Sequence, residues 1–256
     1  MMSERQRKFR EEYQAQIHPL YNGLVHIGVI YAVGLAVIAW CVSRMQDASW
    51  EWLLVVPVFF VSNLFEWYMH KYVMHRLIDV WALRAIYDRH TRQHHQYFTD
   101  GVMTVDSARE FRIIFFPWRA LFTFIAIGTP FALLLAWLVN ANAGYILLVT
   151  MVGQYLIYET FHYCCHVHEN WFVRNMPFVN TIRRHHTAHH NQGIMMDINM
   201  NLTFPIADWL MGTSDLECGL LGHVFNGYSE QHIKPELKQA IERHSLKEAP
   251  LTQQAA

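Results

Sequence analysis

Charge is scarce in this chain. Asp, Glu, Lys and Arg make up 16% of its 256 residues, against about 25% in an ordinary soluble domain. The net charge is −1, so the basic excess that marks a nucleic-acid binder is missing. Cysteine is sparse too. Cys41, Cys164, Cys165 and Cys218 show no C-x-x-C spacing, which excludes a disulfide framework and points to a reducing compartment. The charged stretch Met1–Gln14 has no signal-peptide apolar core. Short-period repeats are absent, which excludes a solenoid. So is any glycine-rich flavin or nicotinamide fingerprint.

Apolar residues are abundant at 53%. Mean hydropathy is only +0.07, because histidines and polar segments offset the apolar runs. Leu20 to Ser43 carries no charged residue and exceeds the roughly 20 residues that span a bilayer. Trp52 to Phe65 is shorter and runs on into Glu66 and His70. Ala120 to Val139 is another uncharged run, and Ala143 to Tyr158 leads into Glu159 and His162. The pattern predicts an all-α integral membrane protein with four transmembrane helices in two hairpins. Residues 1–19 would form an N-terminal cytosolic segment, 20–215 the membrane-embedded domain and 216–256 a cytosolic segment with a disordered tail after Pro250. Basic residues lie before the first span, between the second and third, and after the fourth. The positive-inside rule then places both ends in the cytosol, with a helical cap holding the site on that face.

Ten of the 17 histidines fall into four clusters beyond the second and fourth spans. They are His70 and His75; His90, His94 and His95; His162 and His166; and His186, His189 and His190. Imidazole is the commonest metal-binding side chain, and ten exceed the four a single zinc needs. A two-metal site at the end of a helical bundle fits the number. Helical spacing puts His90 with His94, His162 with His166, and His186 with both His189 and His190. His70 and His75 are offset by about 140° on a straight α-helix, so they bind different metals or the helix distorts. His95 is likewise offset. Glu66 and Glu159 either orient imidazole rings or mark the membrane edge. His186 is favoured over His185 because it keeps both spacings, and His168 and His223 are further candidate ligands. Cys164 and Cys165 sit inside a box and read as packing residues, with a thiolate ligand the alternative, and His18, His26 and His244 read as ordinary polar groups. Asp106–Glu110 and Met195–Asn199 flank the boxes and are candidates for shaping substrate access, with Asp197 a candidate support for a ligand.

These residues closely resemble the fatty acid hydroxylase superfamily, whose members include sterol desaturases and carotenoid hydroxylases. The shared pattern is His70-x4-His75, His90-x3-His94-His95, His162-x3-His166 and His186-x2-His189-His190. Glu66 to His75 (E-W-Y-M-H-K-Y-V-M-H) is similar to the approach to the family's first box, with Lys71 where arginine is commoner. Asn201 to Asp215 is similar to the stretch after the last box. The resemblance covers about Leu53 to Asp215 and implies that the ten histidines bind two iron ions and are catalytic. It implies an O2-dependent oxidation of an unactivated C–H bond in a lipid, giving an alcohol or, in a desaturase, an alkene of a sterol, carotenoid or acyl lipid. Zinc in purified protein would be a substitute.

Lacking a fused cytochrome with its His-Pro-Gly-Gly motif, the chain would need a separate electron donor, a ferredoxin or b-type cytochrome with its reductase. Arg84, Arg89, Arg92, Arg183 and Arg184 are candidates for docking it, or for anchoring on membrane lipids. A metal transporter would place its ligands within the spans, whereas these lie beyond the span ends. A bis-histidine haem leaves the doublets unexplained. The ending L-T-Q-Q-A-A carries no endoplasmic-reticulum retention signal, which favours a bacterial inner membrane.

Overall fold

The computed structural model describes residues 2–248, and the side chains of residues 243–248, His244 among them, lie outside the description, as does the tail after Pro250. Among the described residues the chain is helical, with no strand beyond three isolated bridges, Thr99–Val102, Val105–Val167 and Leu216–Ile233.

The first helix, α1 (Glu4–Ala15), is capped by Ser3 and buries Gln6, Arg10 and Tyr13. Four long apolar helices follow the sequence expectation. The first is α2 (Gly23–Arg44), whose first turn is capped by the Asn22 side chain. Its 22 residues extend about 33 Å, enough to cross a hydrocarbon core of about 30 Å. The second span contains α3 (Val55–Met69), preceded by a 3-10 turn, Trp50–Leu54, and continued by a π turn, His70–Met74. Its apolar sequence looked short because the helix runs on through Glu66 and the first histidines. Beyond the second span, α4 (Trp81–Arg89) leads into a second π turn, His90–His94. The third span, α5 (Trp118–Leu138), contains Pro130, and the fourth, α6 (Ala141–Cys165), is capped by Asn140. Beyond it lie α7 (Val179–His189), α8 (Ile206–Met211) and α9 (Pro235–Glu248).

The α6 helix is central, packing against α2, α3 and α5. Small residues permit that closeness, as in other membrane bundles. A Cβ on Gly144 would lie 2.6 Å from the Ala132 carbonyl oxygen, so no larger residue fits there. The outward faces are apolar and exposed, as at Val61, Phe65, Leu133 and Leu134, which a bilayer would cover. Exposed tryptophans mark both ends: Trp50, Trp52 and Trp137 by the hairpin loops, Trp118 at the other. The two hairpin loops are tied together, since Gln46 N–H donates to Asn142 Oδ1 at 3.1 Å and Asn142 Nδ2 to the Gln46 carbonyl at 2.7 Å. The opposite end, where α2 and α5 begin and α3 and α6 finish, carries every histidine box.

Candidate metal centre

The structure brings the ten histidines together and sorts them into two adjacent groups. His70, His75, His90, His95 and His189 form one, His94, His166, His186 and His190 the other; within each, the candidate ligand nitrogens lie within 4.8 Å of one another. His162 joins the second group through His94, Nε2 to Nε2 at 3.2 Å. The groups touch where the His95 and His190 rings stack, centroids 4.3 Å apart.

Two expectations about faces are corrected. His90 does not share a site with His94, and His186 does not share one with His189. The reason in the first half is the pair of π turns. The His75 N–H donates to the His70 carbonyl, and the His95 N–H to the His90 carbonyl. This i→i+5 bonding aligns residues five apart, so His70/His75 and His90/His95 each converge on one group. His70 and His75 therefore share a site rather than serving different ones. In the second half, ordinary α spacing aligns His162 with His166 and His186 with His190, leaving His94 and His189 to cross over. Each half thus lends one histidine to the other group. The repeated His-x4-His, at His70/His75 and His90/His95, was the sequence signal for the π turns.

Imidazole tautomers follow from the outer partners. Nδ1 of His70 faces the Met200 carbonyl at 2.5 Å, that of His94 the Ile113 carbonyl at 3.1 Å and that of His166 the Met103 carbonyl at 2.9 Å. His189 similarly faces Ile198 at 2.8 Å and His190 faces Phe98 at 3.2 Å. A carbonyl only accepts, so each Nδ1 carries the proton and each Nε2 presents a lone pair. Yet His94 Nε2 lies 3.2 Å from His190 Nε2. Two lone pairs cannot bond to each other. Protonation is opposed, because burial holds both groups well below the usual histidine range, as it does His75, His90, His95, His166, His186 and His189. A metal cation between such nitrogens satisfies them, and the all-imidazole donor set suits a divalent transition metal. The residues therefore fit a metal-holding role.

The supporting layer is built largely on backbone groups. Among the described residues the Glu66 carboxylate is hydrogen-bonded to no imidazole. It accepts from the Leu202 and Thr203 backbones at 2.5 and 2.9 Å and from the Thr203 hydroxyl at 2.6 Å, pinning the strip that carries Met200. Glu159 accepts from the Phe116 N–H at 3.3 Å, bracing the entrance to α5. Sequence reasoning gave no role to Asp208. This buried carboxylate accepts from the Met200 and Asn201 backbones at 2.9 and 2.6 Å, from Thr213 at 2.6 Å and from His185 Nε2 at 3.0 Å. These donors hold its pKa below the usual range against burial, which alone would raise it. His185 is thereby a partner of Asp208, outside both groups. His168 is exposed and pairs with Asp106 at 3.0 Å, and His223 lies beside Cys218 at 3.2 Å. His26 is satisfied between the Tyr21 hydroxyl, at 2.8 Å, and the Phe116 carbonyl, at 2.9 Å.

Other flanking segments also differ. Asp197 pairs with Lys71 at 3.2 Å and supports no ligand. Glu110, buried, accepts from Arg10 at 3.2 Å and Tyr97 at 2.5 Å and ties α1 to the boxes. Of the five arginines expected to dock a donor, Arg183 turns inward to the Cys164 and Val167 carbonyls and Arg184 to buried Asp215. Arg89 is held by the Arg112 and Phe115 carbonyls. Only Arg84 and Arg92 remain on the surface, each paired with an aspartate.

An apolar cavity of about 440 Å³ runs between α3, α5 and α6. His70, Met74 and Arg89 line its end near the histidines, and Ser62, Ile127 and Gln154 its end in the bundle. Neither Asp106–Glu110 nor Met195–Asn199 lines it. Ile127 stands nine residues into α5, so the cavity reaches about 14 Å along that helix.

The model of the fatty acid hydroxylase family matches residues 55–213. A dihydroceramide fatty acyl 2-hydroxylase of Arabidopsis thaliana is 25% identical over 187 residues, covering 71% of this chain and 70% of that protein. No solved structure matches the chain significantly.

Proposed function

The chain belongs to the fatty acid hydroxylase family, matched over residues 55–213, and from that premise we propose an O2-dependent di-iron monooxygenase that hydroxylates the acyl chain of a membrane lipid. The observation that carries it is the sharing of His70 between one imidazole group and the wall of the apolar cavity. His70, His75, His90, His95 and His189 would hold one iron, and His94, His162, His166, His186 and His190 the other. Iron held there supplies the redox chemistry with dioxygen that attacks an unactivated C–H bond and that no side chain provides.

The protein's own residues have three tasks. Carbonyls of Met200, Ile113, Met103, Ile198 and Phe98 keep each Nε2 deprotonated and aimed inward. Phe65, Met69, Ile86 and Phe124 form an apolar wall that excludes water and aligns an acyl chain. Met74 and His70 mark where that chain would meet the site. The mainly apolar lining of the cavity suits an acyl chain. The plant relative is named for a fatty acyl substrate, in line with this reading. Electrons would come from a separate ferredoxin or b-type cytochrome with its reductase. The basic residues around the histidine end favour a cytosolic site by the positive-inside rule.

The test is mass spectrometry of lipids from cells producing the protein under labelled dioxygen, with His94→Ala as control. One labelled oxygen in a lipid, only with the intact protein, is expected. A product lacking two hydrogens and carrying no label would identify a desaturase instead, and unlabelled hydroxylation would sink the O2-dependent mechanism.

A further inference from the structure

A second cavity, of about 700 Å³, opens where α2 and α5 begin. Arg89, Arg112 and Arg119 line it, together with Tyr21, His26 and Trp118, and no Asp or Glu does. None of the three arginines has a carboxylate within ion-pair distance among the described residues; Arg112 lies over the Tyr13 ring at 5.5 Å, and of the other arginines Arg7, Arg10, Arg76, Arg84, Arg92, Arg174 and Arg184 have such a partner while Arg5, Arg44, Arg109 and Arg183 do not. Three guanidiniums without a carboxylate partner lining one space leave a positive charge there that an anion would offset. Simple anchoring in the headgroup layer does not account for Arg89. Anchoring arginines reach outward on mobile stems, but Arg89 is pinned by the Arg112 and Phe115 carbonyls. It also lines the apolar cavity, as does Pro117, so the two cavities share a wall.

The location selects the ligand. Exposed Leu20, Val25 and Trp118 form an apolar rim at the membrane ends of two spans. An anion arriving there with an apolar tail can place its charge on the arginines and its chain in the adjoining cavity. We propose that this pocket binds the oxyanion headgroup, carboxylate or phosphate, of the lipid whose acyl chain lies beside His70. The inference rests on the lipid-hydroxylase reading, and it makes the substrate class an anionic lipid. Arginine suits it because its planar donors match both carboxylate and phosphate.

The experiment is native mass spectrometry of the full chain in detergent, offered lipids with matched acyl chains. Phosphatidylglycerol and a free fatty acid carry the two oxyanions, diacylglycerol and ceramide carry none, and inorganic phosphate is offered alone. Losing charge-assisted hydrogen bonds changes affinity about ten-fold or more, so the anionic lipids should be retained over the neutral ones by at least about that factor. Which anionic lipid is retained distinguishes phosphate from carboxylate. Arg119→Gln should cut the preference and Arg112→Gln with Arg119→Gln should remove it. Arg119→Lys should keep most of it and Arg84→Gln, outside the pocket, all of it. Arg119 is exposed and unpaired, so its loss should leave folding intact. Equal retention of neutral lipids, inorganic phosphate binding as well as the lipid, or a preference untouched by both pocket variants would overturn the proposal. Hydroxylated product is read separately. Product with no anionic preference sinks the pocket alone. Arginine-dependent retention with no product sinks the hydroxylase reading and leaves the pocket standing.

Discussion

His94 and His190 face each other across 3.2 Å with no proton available to share, and that geometry makes the metal dependence testable residue by residue. With one ion in each group, as proposed, His94→Ala should lower bound metal from about two ions per chain to about one, because its loss opens the second group alone. His189→Ala should do the same through the first group. Elemental analysis of purified protein checks both, and unchanged content in either would remove that residue from the ligand set. Asp208→Ala tests the supporting layer. It releases the Met200 and Asn201 backbones that present a carbonyl to His70. Loss of such outer partners costs about 10–100-fold in metal affinity, so metal retention against a chelator should fall by that order. The same histidines set the acid limit. Burial holds their folded-state pKa values well below 6.5, so below about pH 6.5 the unfolded chain takes up protons that the folded chain refuses. Stability is therefore full above that pH and falls as pH drops, by about 1.4 kcal/mol per pH unit for even one such group. Melting temperatures of the metal-free protein at pH 7.5, 6.5 and 5.5 should decline in order, and a flat series would contradict neutral burial.

The two π turns are the elements on which the sorting depends. Inserting one alanine after Arg92 would make the spacing His90-x5-His95, which neither an α nor a π turn aligns, and would swing His95 off the first group, while Arg92→Ala removes a surface pair with Asp88 and a contact over the Tyr87 ring. The insertion should lose metal and activity by at least about ten-fold, since a supporting shell misplaced by about 1 Å costs about 100-fold. The substitution should keep both, and equal behaviour of the two would deny the turn its role. These turns also mark the limit of what the residues alone convey. The four spans and ten histidines are legible, because uncharged runs and imidazole clusters declare themselves by composition. The division into two groups is not, because a 3.6-residue period assigns His94 to His90 and His189 to His186. The roles of Glu66 and Asp208 are hidden for another reason: their partners, Leu202, Thr203 and Met200, are backbone groups that only the folded chain brings near.

Taken as one object, the molecule joins a metal-fitting end to an apolar slot sunk between α3, α5 and α6, and the depth of that slot limits the chain it accepts. His70 stands at one end and Ile127 and Gln154 line the other. A chain threaded past His70 would have its far methylenes against Ile127. Ile127→Trp adds bulk at that end without touching either histidine group or the arginine pocket, and Ile127 is 57% exposed, so the fold should survive the larger ring. Each methylene that no longer fits costs about 1–3 kcal/mol, or about 10–200-fold in kcat/KM. The variant should therefore still hydroxylate, with the product distribution moved to chains shorter by a few carbons and the longest substrates nearly lost. Lipid profiles from cells carrying each form measure this directly. An unshifted chain-length profile would mean that the acyl chain reaches His70 by another route, and uniform loss at all lengths would mean that Trp disturbs the bundle rather than the slot.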